Sequence, residues 1–217
     1  MRTIDKQHQD SITPQLALSL LKEGNERFVK NLRLNRNLLE QVNETRDGQW
    51  AFAVTLSCID SRTSAELIFD QGLGDIFSIR IAGNIINEDI LGSMEFACKL
   101  AGAKFIVVLG HTKCGAIIGA CDNVEMGNLT TLLQKIYPSV DAEHATTENR
   151  NSSDSNFVEN VSSINVKHSV NEIIQRSPIL MKLIEAGEIG IIGAMYEVES
   201  GKVQFYEETK ITKTLNS

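Results

Sequence analysis

Cys58-Ile59-Asp60-Ser61-Arg62 and, more than fifty residues later, His111-Thr112-Lys113-Cys114 are the segments of this chain best equipped for chemistry. Two thiolates and an imidazole form the soft donor set that zinc prefers. Three protein donors with no evident fourth leave a coordination position open, the mark of a catalytic rather than a scaffolding metal. A single cysteine is more often a small buried hydrophobe. Two cysteines and a histidine, each just after a predicted strand or at a helix start, are not explained by core packing. Cys98 and Cys121 have no such company and read as structural.

Asp60 and Arg62 stand two residues apart, so on an extended segment their side chains leave on the same side. A close pair of this kind orients the carboxylate and keeps it ionised, whereas an exposed surface pair contributes almost nothing. Proximity to Cys58 favours the functional version. Two mutually exclusive tasks are open to Asp60: accepting a hydrogen bond from water on the metal, or taking the fourth position and closing the site.

A sheet must bring the two segments together. Apolar runs at 51–56, 76–81, 105–109 and 189–195 predict buried strands, with 202–206 a hairpin partner after Ser200-Gly201. Helical patterns fall at 65–69, 90–100, 115–120, 129–137 and 166–186, the last broken near Pro178. Thr13-Pro14 starts an amphipathic helix running to about Asn31. This alternation predicts an α/β fold: a mainly parallel sheet of about four parallel strands plus an antiparallel edge strand, flanked by helices. Cys58 then follows the first strand and His111 the third, at the carboxyl edge where open α/β sheets bind ligands. Cys114 opens the next helix, whose dipole favours a thiolate.

The 217 residues, 42% of them hydrophobic, suit a single domain, with a helical arm at about 13–31 and a polar surface insertion at about 141–160 rich in Asn, Ser, Thr and Glu. A formal charge of -7 offers no basic surface for nucleic acid and disfavours anionic membranes. The charged first thirty residues lack the apolar stretch of a signal peptide, no apolar run is long enough to span a bilayer, and four cysteines make no disulfide framework. A cytoplasmic location is the expectation.

On these residues the chain resembles the β-class carbonic anhydrases. The matches are Cys-x-Asp-x-Arg at Cys58, Asp60 and Arg62, His-x-x-Cys-Gly at His111, Cys114 and Gly115, and Arg-x-Ala-Gly-Asn at Arg80 to Asn84. The similarity runs from about 49 to 120 and resumes at 189–205. It implies one Zn2+ per chain on Cys58, His111 and Cys114, and reversible hydration of carbon dioxide to bicarbonate and a proton by a zinc-bound hydroxide. It further implies a homodimer whose N-terminal helix lies across the partner, with tetramers common among such proteins. Gln49 matches a glutamine that helps position substrate, and with the Gly115 amide it is the candidate for stabilising charge on the substrate oxygens. By the same spacing Phe77 and Ala82 line the pocket, and Phe96 reaches it from the partner subunit. Relatives with a bicarbonate-responsive switch carry tryptophan and proline where this chain has Thr55 and Ser64. Tyr196 alone matches that switch, so the constitutively open kind is expected.

Three alternatives keep the same donors. One is hydrolysis of carbon disulfide or carbonyl sulfide, which are also linear and apolar. Another is a non-catalytic structural-zinc interaction module closed by Asp60, and the third is a bicarbonate binder without turnover.

Overall fold

Asp5, Thr13 and Asn37 each accept a hydrogen bond from an amide of the turn that follows, starting helices α1 (Lys6–Ser11), α2 (Pro14–Val29) and α3 (Leu38–Thr45) in the computed structural model, which describes residues 3–213. The chain continues through β1 (Ala53–Ser57), α4 (Ala65–Ile68), β2 (Ile76–Arg80) and α5 (Glu88–Glu95), which runs into a π-helical turn at Phe96–Leu100. Then come β3 (Phe105–His111), α6 (Gly115–Cys121), α7 (Gly127–Leu133), α8 (Tyr137–Ala142), α9 (Ser155–Arg176) and α10 (Pro178–Ala186). Strands β4 (Gly190–Tyr196) and β5 (Val203–Ile211) complete the sheet.

The strand order is β2-β1-β3-β4-β5, with β5 antiparallel and the other pairings parallel. This is the predicted architecture of four parallel strands and an antiparallel edge. Both faces of the sheet are covered, which is why its central strands read as unbroken apolar runs. Val54, Leu56, Ile106, Val108 and Ile191 pack towards α5, α9 and α10, while Ala53, Phe105, Val107 and Ile192 pack against Leu18 and Leu21 of α2. The expected N-terminal arm is thus a helix seated on its own sheet. Its buried face includes Ala17, Leu18 and Leu21, while Leu16 is exposed.

Register sets the site. Ser57 of β1 pairs with Leu109 of β3, and β3 runs on to His111, so Cys58 emerges beside the last residues of its neighbour. His111 ends the strand, pairing with Tyr196, rather than following it.

The structure differs most from expectation at 141–160. Ser155 already begins α9, eleven residues before the predicted helix, and Phe157 is fully buried. The reason lies in the helix's inner face, where Ser162, Asn165 and Ser169 are buried among Val161, Val166 and Val170 and interrupt the apolar periodicity. Gly110 and Gly193 let this helix approach the sheet: a Cβ on them would lie 2.5 and 2.7 Å from Val166.

The segment before α9 is mostly exposed but is held by a buried carboxylate. Glu143, its side chain 1% exposed, accepts from Thr146, Asn160 and Arg150, whose guanidinium also donates to the carbonyls of Val140, Glu143 and Thr146. Burial opposes ionisation of Glu143, but the hydrogen bonds from Asn160 and Thr146 and the Arg150 charge outweigh it, and the carboxyl lies below its usual range. Arg150→Ala is expected to destabilise the fold by about 2–4 kcal/mol, somewhat less than a fully buried pair because the arginine is partly exposed. Because the folded-state pKa is depressed, this stabilisation is present above the ordinary glutamate pKa and is lost as pH falls through the lower folded value. Urea unfolding of parent and variant at neutral and acid pH measures it; equal stabilities at pH 7 would refute the latch.

Candidate metal centre

Three elements converge on the centre. Cys58 leaves the end of β1, His111 ends β3, and Cys114 is the N-cap residue of α6. All three are buried, and one donor atom from each lies within 4.8 Å of the others. The two sulfurs are 3.9 Å apart. Two thiolates at zinc–sulfur bond length in a tetrahedron lie about 3.8 Å apart. His111 Nδ1 is engaged by the Thr112 carbonyl at 2.9 Å, which fixes the ring, while Nε2 is buried without a partner. An unsatisfied buried nitrogen beside two sulfurs is a donor awaiting an acceptor of electron pairs. The cluster fits a zinc site.

Cys58 and Cys114 are joined by a sulfur–sulfur hydrogen bond. The hydrogen bond from Cys114 lowers the Cys58 thiol to about 4, helped by His111 and the Gly83 amide and opposed by burial. That same hydrogen bond, with burial, pushes Cys114 far up. A divalent cation would displace the proton of that hydrogen bond. Cys98 and Cys121 are pushed up to about 12 and about 11, chiefly by burial, and have no part in the cluster.

Asp60 lies outside this group of three. Its two oxygens accept from Arg62 Nε at 2.9 Å and Nη2 at 2.8 Å, and Oδ1 also takes the Arg62 amide at 2.9 Å. The Arg62 hydrogen bonds hold its carboxyl well below the usual carboxylate range. Of the two arrangements open to Asp60, the structure therefore has the carboxylate on arginine and not as a fourth ligand. The turn carrying it is clamped from behind: Arg80 donates to the carbonyls of Cys58 and Asp60 at 3.1 and 2.6 Å, and Thr63 Oγ1 donates to the same two at 3.0 and 2.9 Å. Neither role is legible in the sequence, although Arg80 heads the Arg-x-Ala-Gly-Asn match. Tyr196 ends β4 beside His111, within electrostatic reach of Arg62 and Asp60.

The pocket residues are scattered. Ala82 precedes Gly83, whose amide donates to Cys58 Sγ at 3.4 Å, so it flanks the centre. Gly115 opens α6 next to Cys114, with free space around its Cα. Gln49 is exposed and precedes β1, whose length of about 16 Å separates it from the centre. Phe77 and Phe96 meet edge to face, 6.4 Å between centroids, in an open groove along the outer edge of β2 that no metal-cluster residue lines. Within one chain, then, the structure brings Ala82 and Gly115 to the centre and leaves Gln49, Phe77 and Phe96 away from it. Spacing along a strand cannot tell which end of the sheet a residue faces.

Fold and donor set together define a mixed α/β protein with a thiol–imidazole cluster, fit to hold a metal, at the carboxyl edge of its parallel strands. The family profile described as carbonic anhydrase matches residues 53–203. Carbonic anhydrase 2 of Mycobacterium tuberculosis is 34% identical over 195 residues, spanning 87% of this chain and 91% of that protein. Among solved structures, a Coccomyxa β-carbonic anhydrase superposes with a TM-score of 0.69 at 21% identity, covering 87% of this chain and 85% of the other. One of two tetrameric β-carbonic anhydrases from Sordaria macrospora gives 0.65 at 23% identity, covering 74% and 82%. The chain belongs to the β-class carbonic anhydrase family and is a carbonate dehydratase, a lyase.

Proposed function

We propose that the chain binds one zinc ion on Cys58, His111 and Cys114 and, with Asp60 and Arg62, hydrates carbon dioxide to bicarbonate and a proton. The unpartnered, buried His111 Nε2 beside the two sulfurs carries this proposal. Zinc, when bound, supplies the Lewis acidity that makes a nucleophile of water near neutral pH. Asp60 accepts a hydrogen bond from the attacking oxygen and aims its lone pair at carbon, while Arg62 holds the carboxylate in place. The Gly115 amide stands where charge grows on the substrate oxygens. An apolar wall of Ile85, Ile117, Phe157 and Val161 around the sulfurs keeps the centre dry.

A role for Gln49 at this site requires a second subunit, and the tetrameric Sordaria relatives support a homodimer or larger assembly here. Phe77 and Phe96 along the open β2 edge are candidates for that contact. A reducing, cytoplasmic location suits a centre built on free thiols. Zinc analysis of purified protein, paired with stopped-flow carbon dioxide hydration, tests the proposal. One zinc per chain with turnover supports it, and a loaded protein without turnover would make the centre structural.

Asp60 is ionised throughout the neutral range, its carboxyl held even below the ordinary carboxylate range by the Arg62 hydrogen bonds. The group that titrates is then the nucleophile itself. Two thiolates donate more charge than imidazoles would, so activity should be weak in acid and rise from about pH 6 to pH 9. A flat profile over that range would count against it.

A further inference from the structure

We propose that Asn165 is a positioning residue for the metal centre, acting on Cys58 through the backbone of Gly83; the proposal rests on the zinc assignment above. Asn165 lies on the inner face of α9, 2% exposed, and its Nδ2 donates to the Gly83 carbonyl at 2.8 Å. The amide of Gly83 in turn donates to Cys58 Sγ at 3.4 Å. Both polar groups of this one residue are thus committed, one to helix α9 and the other to a metal ligand. Gly83 has φ +67°, a left-handed conformation that favours glycine, and a Cβ there would press on Ile136 at 2.7 Å and Ala116 at 3.2 Å. Ser139, fully buried, donates to Asn165 Oδ1 at 3.4 Å and leaves the amide nitrogen facing Gly83.

Four groups therefore stand in series: Ser139, Asn165, Gly83 and Cys58. A buried amide on a helix face that also carries Val161, Val166 and Val170 is costly unless satisfied, and a leucine there would pack more simply. What the asparagine adds is a fixed direction for the Gly83 amide. A hydrogen bond to a thiolate stabilises its charge and holds the sulfur in one position, and groups that orient metal ligands in this way govern affinity. One turn further along the same face, Ser169 donates to the Asn84 carbonyl at 3.2 Å. It ties α9 to the same loop but reaches no metal ligand, and so separates positioning from simple fastening.

The test compares the full-length parent with Asn165→Ala, Asn165→Ser and Ser169→Ala. Zinc affinity is measured by competition with a chromophoric chelator, the sulfur-to-metal charge-transfer band on cobalt-substituted protein, and stability by thermal unfolding. Both Asn165 variants are expected to bind zinc about tenfold more weakly and to shift the charge-transfer band. Ser169→Ala is expected to lose thermal stability while keeping the parent's affinity and band. Should Asn165→Ala fail to fold, Asn165→Ser, which keeps a hydroxyl at the position, carries both readouts. Parent-like affinity and band in the Asn165 variants would overturn the proposal, as would equal weakening in Ser169→Ala. A parent that takes up neither zinc nor cobalt would instead remove the metal assignment itself.

Discussion

Cys114→Ser should yield a folded protein that lacks zinc and hydrates carbon dioxide more than a hundredfold more slowly than the parent, a loss beyond the roughly 10- to 100-fold produced by changes outside the ligand shell. The fold should survive because Cys114 is the N-cap of α6, with extended backbone angles, and serine is among the best residues at that position. Serine cannot replace the thiolate, since its hydroxyl does not ionise near neutral pH. Two donors, Cys58 and His111, then remain where three converged within 4.8 Å. Zinc content by elemental analysis, far-ultraviolet circular dichroism and stopped-flow hydration check the three parts separately. Parent-like zinc with parent-like turnover would show that Cys114 is not a ligand. The variant should also lose the stabilisation that bound metal gives the parent, so their melting temperatures should draw together after chelation.

Asp60→Asn separates chemistry from metal binding. The carboxylate lies outside the donor cluster, so zinc content should match the parent. Turnover should fall by about 10²–10⁴-fold, the range for losing a positioned proton acceptor. Oδ1 of an asparagine can still accept from the Arg62 amide and Nε, but its NH2 would face Arg62 Nη2, donor against donor, where Asp60 Oδ2 now accepts at 2.8 Å. The side chain must therefore rotate or lose a bond, and the attacking oxygen loses an anionic acceptor. Stability should hardly change, because Arg62 is half-exposed and the pair is screened by solvent. Near-normal turnover in this variant, with zinc retained, would take the carboxylate out of the mechanism.

These two variants probe the parts of the site that were legible without coordinates. Cys58, His111 and Cys114 announce themselves by donor type and by standing at strand ends and a helix start, which are local properties. The Asp60–Arg62 pair is two residues apart and equally local. The α9 segment was not legible for the opposite reason. Its inner face uses Ser162, Asn165 and Ser169 as donors to the carbonyls of His111, Gly83 and Asn84, partners 51, 82 and 85 residues away in sequence. Periodicity counts a buried serine or asparagine as polar, so a helix satisfying distant carbonyls reads as surface. The Glu143–Arg150 latch was hidden in the same way, since a polar composition does not reveal that its charges satisfy each other and the backbone.

By itself the sequence determined which atoms could hold a metal and which strands would carry them, because apolar runs and donor chemistry are written residue by residue. Tertiary structure alone decided three other matters: that parallel register sets the sulfurs 3.9 Å apart, that Arg80 of β2 clamps the turn from Cys58 to Asp60, and that Gln49 stands at the far end of β1. Each of these depends on how chain directions and hydrogen-bond partners are combined across the sheet. That combination is a property of the folded ensemble of contacts, and no single stretch of residues encodes it.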